Sequence, residues 1–379
     1  MMINNLKNTE SVFKENDFEI VPLERSETIP SSWYTGEVFH SIDRDAILSR
    51  EWNIIGHVNQ LHNVGDFILG EAAGNPIIVI KGNDSKIRGF YNVCRHRGGP
   101  LAIENGCAKM MQCKYHGWTY TLEGMLRGVP RFDRVDLFDK KDYGLVPVNL
   151  DIWEGLVFVN LSDNPPLLKN KMDGIAERIQ PYDLKKKKFY KRVVYDINCN
   201  WKVYIDNYLE GYHVPYVHPE LTKFLDYREY KTEVFENYSL QSSPVKEEGN
   251  YFKETGGVFY YFVYPNWMMN ILPGRLQINI VIPESHNKTK VIFDYYYDDV
   301  TSDKAIKIIE EDLNYSDKVQ QEDVEICEKV QKGLQSFAYD RGRFSVECEE
   351  GVYHFQCVLK KSYKRFLAEN GNNTILKNC

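Results

Sequence analysis

The chain has 379 residues, enough for two domains with cores of their own. Its formal net charge of −7 argues against nucleic acid as a main partner, and no run of about 18 apolar residues is present to span a membrane. Apart from 26 Tyr and 19 Phe, the composition is that of an ordinary globular protein.

The N-terminus, Met1-Met2-Ile3-Asn4-Asn5, has neither the apolar core of a signal peptide nor the Arg-rich character of a transit peptide. Eight cysteines in a chain of this length do not suggest a disulfide scaffold. A cytoplasmic location follows as the expectation, with Cys107, Cys199, Cys327, Cys348, Cys357 and Cys379 as reduced thiols, several of them buried.

Residues from 45 to 165 read as short strands with closely spaced turns, among them Ile77-Ile78-Val79-Ile80, Gly89 to Val93 and Gly155 to Val159. Two motifs lie on the loops of this all-β pattern: Cys94-Arg95-His96 and Cys113-Lys114-Tyr115-His116. Each mixes one thiolate with one imidazole, so together they offer two sulfurs to one iron and two ring nitrogens to another. That is the ligand set of a Rieske [2Fe–2S] centre, in which neutral imidazoles remove negative charge and raise the potential. A Cys2His2 zinc site is the competing reading, but such sites group their cysteines before their histidines, and here the two alternate. Gly98-Gly99-Pro100 and Gly117-Trp118 supply a turn after each pair.

Asp163-Asn164-Pro165-Pro166 closes the domain with turn chemistry. Asp173 to Ile179 predicts a short helix. The basic run Lys185-Lys186-Lys187-Lys188 with Lys191-Arg192 reads as a solvated loop or edge strand, the alternative being a dock for an acidic electron-transfer partner.

From Asn200 the pattern turns helical, and the stretch to His218 holds a second constellation. His213 and His218 are five apart and do not share a helical face. Pro215 disfavours helix at Val214 and bends the chain, which lets His218 swing back towards His213. Non-haem Fe(II) oxygenases hold iron with two histidines and one carboxylate on one face, so a third ligand is needed. Strands are expected at Val258 to Tyr264, Leu276 to Ile282 and Val291 to Tyr297, with Gln277 and Asn279 alternating against Leu276, Ile278 and Ile280 as in a half-buried strand.

A long helix follows from Ser302 to Ser336, with Ser302-Asp303 as cap candidates. Stepping about 100° per residue from Asp323 puts Val319, Ile326, Cys327, Val330 and Leu334 near its stripe and leaves Glu322, Glu325 and Glu328 off it. Asp323 therefore reads as the one acid in the middle of the buried face. A metal would compensate that charge; an Arg or a backbone amide is the alternative.

With both constellations in view, the chain resembles the Rieske non-haem iron oxygenases, specifically the choline monooxygenase-like group acting on choline, carnitine, glycine betaine and stachydrine. The resemblance covers nearly the whole chain and is carried by CRHRGGPLA, CKYHGWTY, NWKVYIDNYLEGYHVPYVH, YYFVYPNWMMN and VQQEDVEICEKVQKGLQSFAYDRGR. It implies an α+β protein: a Rieske domain over residues 45–165, inserted in a helix-grip catalytic domain over 166–379, with residues 1–44 packing on the latter.

The resemblance further implies a homotrimer in which the cluster of one subunit, on Cys94, His96, Cys113 and His116, faces the mononuclear iron of its neighbour, on His213, His218 and Asp323. Glu210 matches the group's bridging carboxylate, joining His116 of one subunit to His213 of the next. Asn207 matches an asparagine near the iron. The chain has no dinucleotide fingerprint and no plant-type ferredoxin motif, so its electrons would come from NAD(P)H through a separate reductase or ferredoxin. The implied reaction is oxygenation by O2 of a C–H bond in a small quaternary ammonium compound, giving oxidation, demethylation or C–N cleavage. An aromatic-ring substrate and a non-catalytic electron carrier are the alternatives. Tyr208, Tyr212, Tyr261, Tyr264 and Trp267 are candidates to hold a quaternary ammonium by cation–π attraction, against a plain core role for each.

Overall fold

The computed structural model describes residues 12–180, 182–221, 231–243, 258–272 and 274–370. Cys379 lies outside them. The helices Ser32–Thr35 (α1) and Glu37–Asp43 (α2) lead into a π turn at Arg44–Leu48. Phe13, Trp33, Phe39, Ala46 and Ile47 of this segment are buried in one cluster with residues from the far end of the chain. Ala46 and Ile47, within the 45–165 expected for the inserted domain, pack in this cluster too.

The inserted domain consists of strands Asn53–His57 (β1), Asp66–Ala72 (β2), Asn75–Lys81 (β3), Ile87–Tyr91 (β4), Gly106–Cys107 (β5), Met111–Gln112 (β6), Thr119–Tyr120 (β7), Leu126–Gly128 (β8), Pro147–Trp153 (β9) and Leu156–Asn160 (β10). Seven form one sheet, in the order β1-β10-β9-β4-β3-β2-β5; β6, β7 and β8 form a small second one. Hairpins dominate, as the short apolar runs between turn residues require. The aliphatic Ile55, Ile68, Ile77, Val79, Val157 and Val159 fill one core, and an aromatic-rich core around Phe90, Trp118 and Tyr120 lies under the two cysteine–histidine loops.

Leu168–Lys171 (α3) and Ile175–Arg178 (α4) connect to the catalytic domain; α4 is the short helix expected over 173–179, and α3 precedes it. There Lys188–Ile197 (β11), Lys231–Val234 (β12), Tyr238–Ser243 (β13), Val258–Val263 (β14), Trp267–Leu272 (β15), Arg275–Ser285 (β16) and Lys288–Tyr297 (β17) form an antiparallel sheet in the order β11-β17-β16-β15-β14-β13-β12. Its helices are Trp201–Tyr208 (α5), Val214–Val217 (α6), Asp303–Leu334 (α7) and Glu350–Glu369 (α8). Ser302 caps α7 as expected, its hydroxyl accepting from the Ala305 N–H at 3.2 Å.

The sheet is covered on both sides. One face packs on Trp52, Ile54 and Phe158 of the inserted domain and on α3 and α4; the other packs under α5, α7, α8 and the N-terminal segment. This corrects the half-buried reading of β16. Gln277 and Asn279 are as buried as their aliphatic neighbours, because helices roof their face. They satisfy one another there: Gln277 Nε2 donates to Asn279 Oδ1 at 2.7 Å, and Arg275 donates to Gln277 and, at 2.5 Å, to Asp312 on α7. Asp312 is thus a second acid on the buried face of α7, paired with an arginine, and Asp323 is not alone there. That face runs through Ile309, Asp312, Gln320, Cys327 and Gln331, while Val330 is 43% exposed.

The basic run divides: Lys188, Lys191 and Arg192 lie on β11, an edge strand of the sheet, as the edge-strand reading has it. Lys187 is buried and lies 2.8 Å from Asp298, Arg192 makes a bidentate pair with buried Asp294, and Lys185 and Lys186 pair with Glu154 and Asp183. No described helix is long and apolar enough to cross a membrane.

Candidate metal centres

The two cysteine–histidine loops are built alike. In each, the carbonyl of the cysteine accepts from the N–H of a glycine four residues on, Gly98 at 3.0 Å and Gly117 at 2.9 Å. Both glycines have positive φ (73° and 75°), a conformation that closes the loop and that a side chain would strain. Cys94 and Cys113 are buried, and the rings of His96 and His116 stand 4.6 Å apart, centroid to centroid, at the tip of the domain. His96 stacks on Trp118 at 4.8 Å, and its Nδ1 is buried with no partner among the described residues. A ring nitrogen held dry and unpaired next to a second imidazole fits a metal ligand better than a structural histidine.

Sequence reasoning missed Tyr120. Its hydroxyl accepts from the Arg95 N–H at 3.0 Å, which turns its proton towards Cys94 Sγ, 3.3 Å away. Burial, together with the Cys94 sulfur, holds the phenol well above its usual range, so it stays a donor to the thiolate. The last residue of CKYHGWTY is the signal that could have found it.

The second centre is assembled from three helices. Asn200 caps α5, its Oδ1 accepting from the Lys202 N–H at 3.0 Å. Gly211 follows, and α6 makes a single turn from Val214 to Val217. The expected role of Pro215 needs correcting. Val214 is helical, and Pro215 sits in the first turn, where its missing N–H has no partner to lose. His213 is the N-cap of this turn and His218 its C-cap, where the backbone leaves the helix (φ −119°, ψ 68°), and the two rings stand 5.1 Å apart.

Asp323 of α7 faces both histidines. His218 Nε2 lies 3.0 Å and His213 Nε2 3.6 Å from Asp323 Oδ1, and one donor atom from each of the three residues lies within 4.8 Å of the others. Two imidazoles and one carboxylate converging from one side fit a mononuclear iron with open positions opposite. Asn207 Nδ2 donates to Asp323 Oδ1 at 2.8 Å and so orients the carboxylate. The Nδ1 atoms are held by two further acids: Glu210 at 2.7 Å on His213 and Glu322 at 2.7 Å on His218. Glu210 also accepts from the backbone N–H of His213 at 3.0 Å. Burial lowers the His218 pKa, but the charges of Asp323 and Glu322 outweigh it, and the net shift is upward. Glu322 was set aside by the helical stripe, which finds what faces the core and not what faces a neighbouring loop.

The aromatic candidates separate. Tyr208 lies five residues before His213 on α5, its hydroxyl donating to Asn270 Oδ1 at 2.6 Å. Tyr212 is 48% exposed. Tyr261 and Trp267 pack on the opposite face of the sheet, against the inserted domain, because odd positions of β14 and β15 point there. Tyr264 shares the helical side but is bonded to Ser362 of α8 at 3.0 Å. The side chains that do face the helices across the strands are Gln241, Tyr260, Asn270, Gln277 and Tyr295, joined by register.

Residues 51–139 match the model of the Rieske [2Fe-2S] domain, and residues 184–365 that of the ring hydroxylating alpha subunit (catalytic domain). The chain is 37% identical over 361 residues to the chloroplastic choline monooxygenase of Arabidopsis thaliana, covering 91% of this chain and 85% of the plant protein. It is 30% identical over 356 residues to the carnitine monooxygenase oxygenase subunit of Acinetobacter pittii (strain PHEA-2), covering 89% and 95%. The structure superposes on that of the quaternary ammonium Rieske monooxygenase CntA bound to its substrate L-carnitine with a TM-score of 0.81, at 28% identity, covering 91% of this chain and 99% of the other. A further CntA structure, with a TM-score of 0.83, 29% identity and the same coverage, is described as giving insight into inter-subunit electron transfer.

Proposed function

The chain belongs to the Rieske oxygenase alpha-subunit family, related to the choline and carnitine monooxygenases, and from that premise we propose that it is the terminal oxygenase for a small quaternary ammonium compound of the choline, carnitine or betaine type. The observation that carries the reading is the convergence of His213, His218 and Asp323 within 4.8 Å, in a chain that also carries the Cys94, His96, Cys113 and His116 loops. When bound, a [2Fe–2S] cluster passes single electrons and a mononuclear Fe(II) activates O2 for hydroxylation of a C–H bond.

The chain's residues have separable tasks in this reading. Cys94 and Cys113 hold one iron of the cluster and His96 and His116 the other, with Tyr120 donating to Cys94. His116 is exposed at the domain tip, where a neighbouring subunit can approach. Glu210 accepts from His213 Nδ1, and in this reading its carboxylate would also accept from the His116 of an adjacent subunit in a homotrimer. Asn207 orients Asp323. Tyr208 and the polar residues of the sheet floor lie on the side where substrate would enter. A separate reductase or ferredoxin, drawing on NAD(P)H, supplies the electrons. The location proposed is the cytoplasm, in keeping with no disulfide joining any two of the described cysteines.

Single-turnover product analysis tests the proposal. Reduced protein with both iron sites filled would meet O2 with choline, carnitine, glycine betaine and stachydrine in turn. Formaldehyde would mean N-demethylation, betaine aldehyde a choline monooxygenase, and an aldehyde from C–N cleavage a carnitine enzyme. No product from any of the four would overturn the quaternary ammonium reading and point to aromatic substrates.

A further inference from the structure

We propose that Glu322 is a positioning residue for the mononuclear site, fixing the tautomer and orientation of His218 so that its Nε2 lone pair faces the metal. The inference rests on the reading of His213, His218 and Asp323 as ligands and goes beyond it, to an acid that touches none of the reacting atoms.

Glu322 and Asp323 are consecutive on α7, yet both contact the same imidazole. Glu322 Oε2 lies 2.7 Å from His218 Nδ1, and Asp323 Oδ1 lies 3.0 Å from His218 Nε2. Side chains one residue apart on a helix diverge by about 100°, so a pair of acids can straddle a ring that stands between them. An ionised carboxylate only accepts hydrogen bonds. Glu322 therefore holds the Nδ1 proton, so that the nitrogen a metal would take is Nε2, which already faces Asp323 Oδ1. Glu210 makes the equivalent contact on His213. Each histidine thus has a carboxylate behind it, one from the loop before α6 and one from α7.

The two acids are not equivalent. Glu210 is tied into its own loop by the His213 backbone N–H, whereas Glu322 reaches across from another element, 104 residues away in sequence. His218 is 2% exposed and the Glu322 side chain 30%, so the carboxylate closes the solvent side of a buried ligand. Partners of this kind typically change metal affinity by about 10- to 100-fold when removed.

The test is metal binding to the protein with its cluster intact and its mononuclear site emptied, using Co(II) as a spectroscopic probe and Fe(II) as the physiological metal. E322A should raise the Kd for both by about 10- to 100-fold and alter the Co(II) visible spectrum. E322Q, whose amide oxygen can still accept from Nδ1–H, should fall between E322A and the unaltered protein. E325A, one turn along on the exposed side, should change neither. The cluster spectrum and the unfolding temperature of the metal-free protein should be the same in all four. An unchanged Kd and Co(II) spectrum in E322A would overturn the positioning role alone. A weaker Kd accompanied by an equal fall in metal-free stability would also overturn it, in favour of a structural role. Failure of the unaltered protein to bind either metal would overturn the ligand assignment itself.

Discussion

Asp206 sits on α5, seven residues before His213, and is enclosed. Its Oδ2 accepts from the Tyr34 hydroxyl at 2.5 Å and from Gln356 Nε2 at 3.2 Å. Burial dominates over these two donors and pushes its pKa up to about 7. A carboxyl whose folded pKa is raised keeps its proton in the folded state where the unfolded chain, at about 4, has lost it. Stability is therefore full below about pH 4, falls as pH rises and levels off above about pH 7, by an amount on the order of a few kcal/mol. D206N should remove that slope, and denaturant midpoints at pH 5 and pH 8 measure it; an equal shift in both proteins would refute the assignment. Glu210 is tested by kinetics instead. E210Q should leave both centres filled while slowing cluster oxidation in a single turnover by about 10-fold or more, and an unchanged rate would count against the bridging role. The two histidines, Glu210 and Asp323 were readable because each sits in a dense local motif. Glu322 and Asp206 act through partners distant in sequence, and a linear pattern carries no trace of such pairings, whereas Tyr120 lies inside CKYHGWTY and only its contact with Cys94 had to come from the fold.

The same contrast holds for elements. The long helix α7 was readable to within two residues, since a polar cap precedes it and its apolar period is sustained. Three strands of the catalytic sheet, β14, β16 and β17, were also found, but the polar interior of β16 was not, because alternation does not say whether the polar side meets water or a roof of helices. Helix α5 is held by a network that no local pattern announces. Buried Lys202 pairs with buried Asp43, whose carboxylate also accepts from Trp201 Nε1 at 2.7 Å and from the Tyr363 hydroxyl. Removing one member strands a charge in the interior, so K202M should destabilise the protein by about 3–5 kcal/mol. Adding D43N should recover much of that loss, since the uncompensated charge goes with it. Chemical denaturation of the two variants decides; an equal loss in both would mean that packing, not charge, sets the position of α5.

At the scale of the whole molecule, the proposed traffic of electrons between subunits can be tested by mixing. Subunits carrying D323A and subunits carrying H116A should each be inactive alone. Trimers assembled from both should regain part of the activity, because an intact cluster in one subunit can serve an intact triad in the next; a mixture as inactive as its parents would argue for transfer within one chain. Another whole-molecule feature is the joining of the two chain ends. The backbone of Thr28 and Ser31 donates to Gly342 and Asp340, Tyr353 donates to the Val21 carbonyl, Lys360 to that of Glu19, and Arg50 pairs with Glu369. During synthesis these partners emerge from the ribosome hundreds of residues apart. The inserted domain pairs all its strands within residues 53–160, so its sheets can close as soon as that stretch is made. Phe13, Trp33 and Phe39 must then wait for α8 before they are covered. A ribosome stalled ahead of residue 350 would therefore carry the inserted domain beside an open aromatic surface.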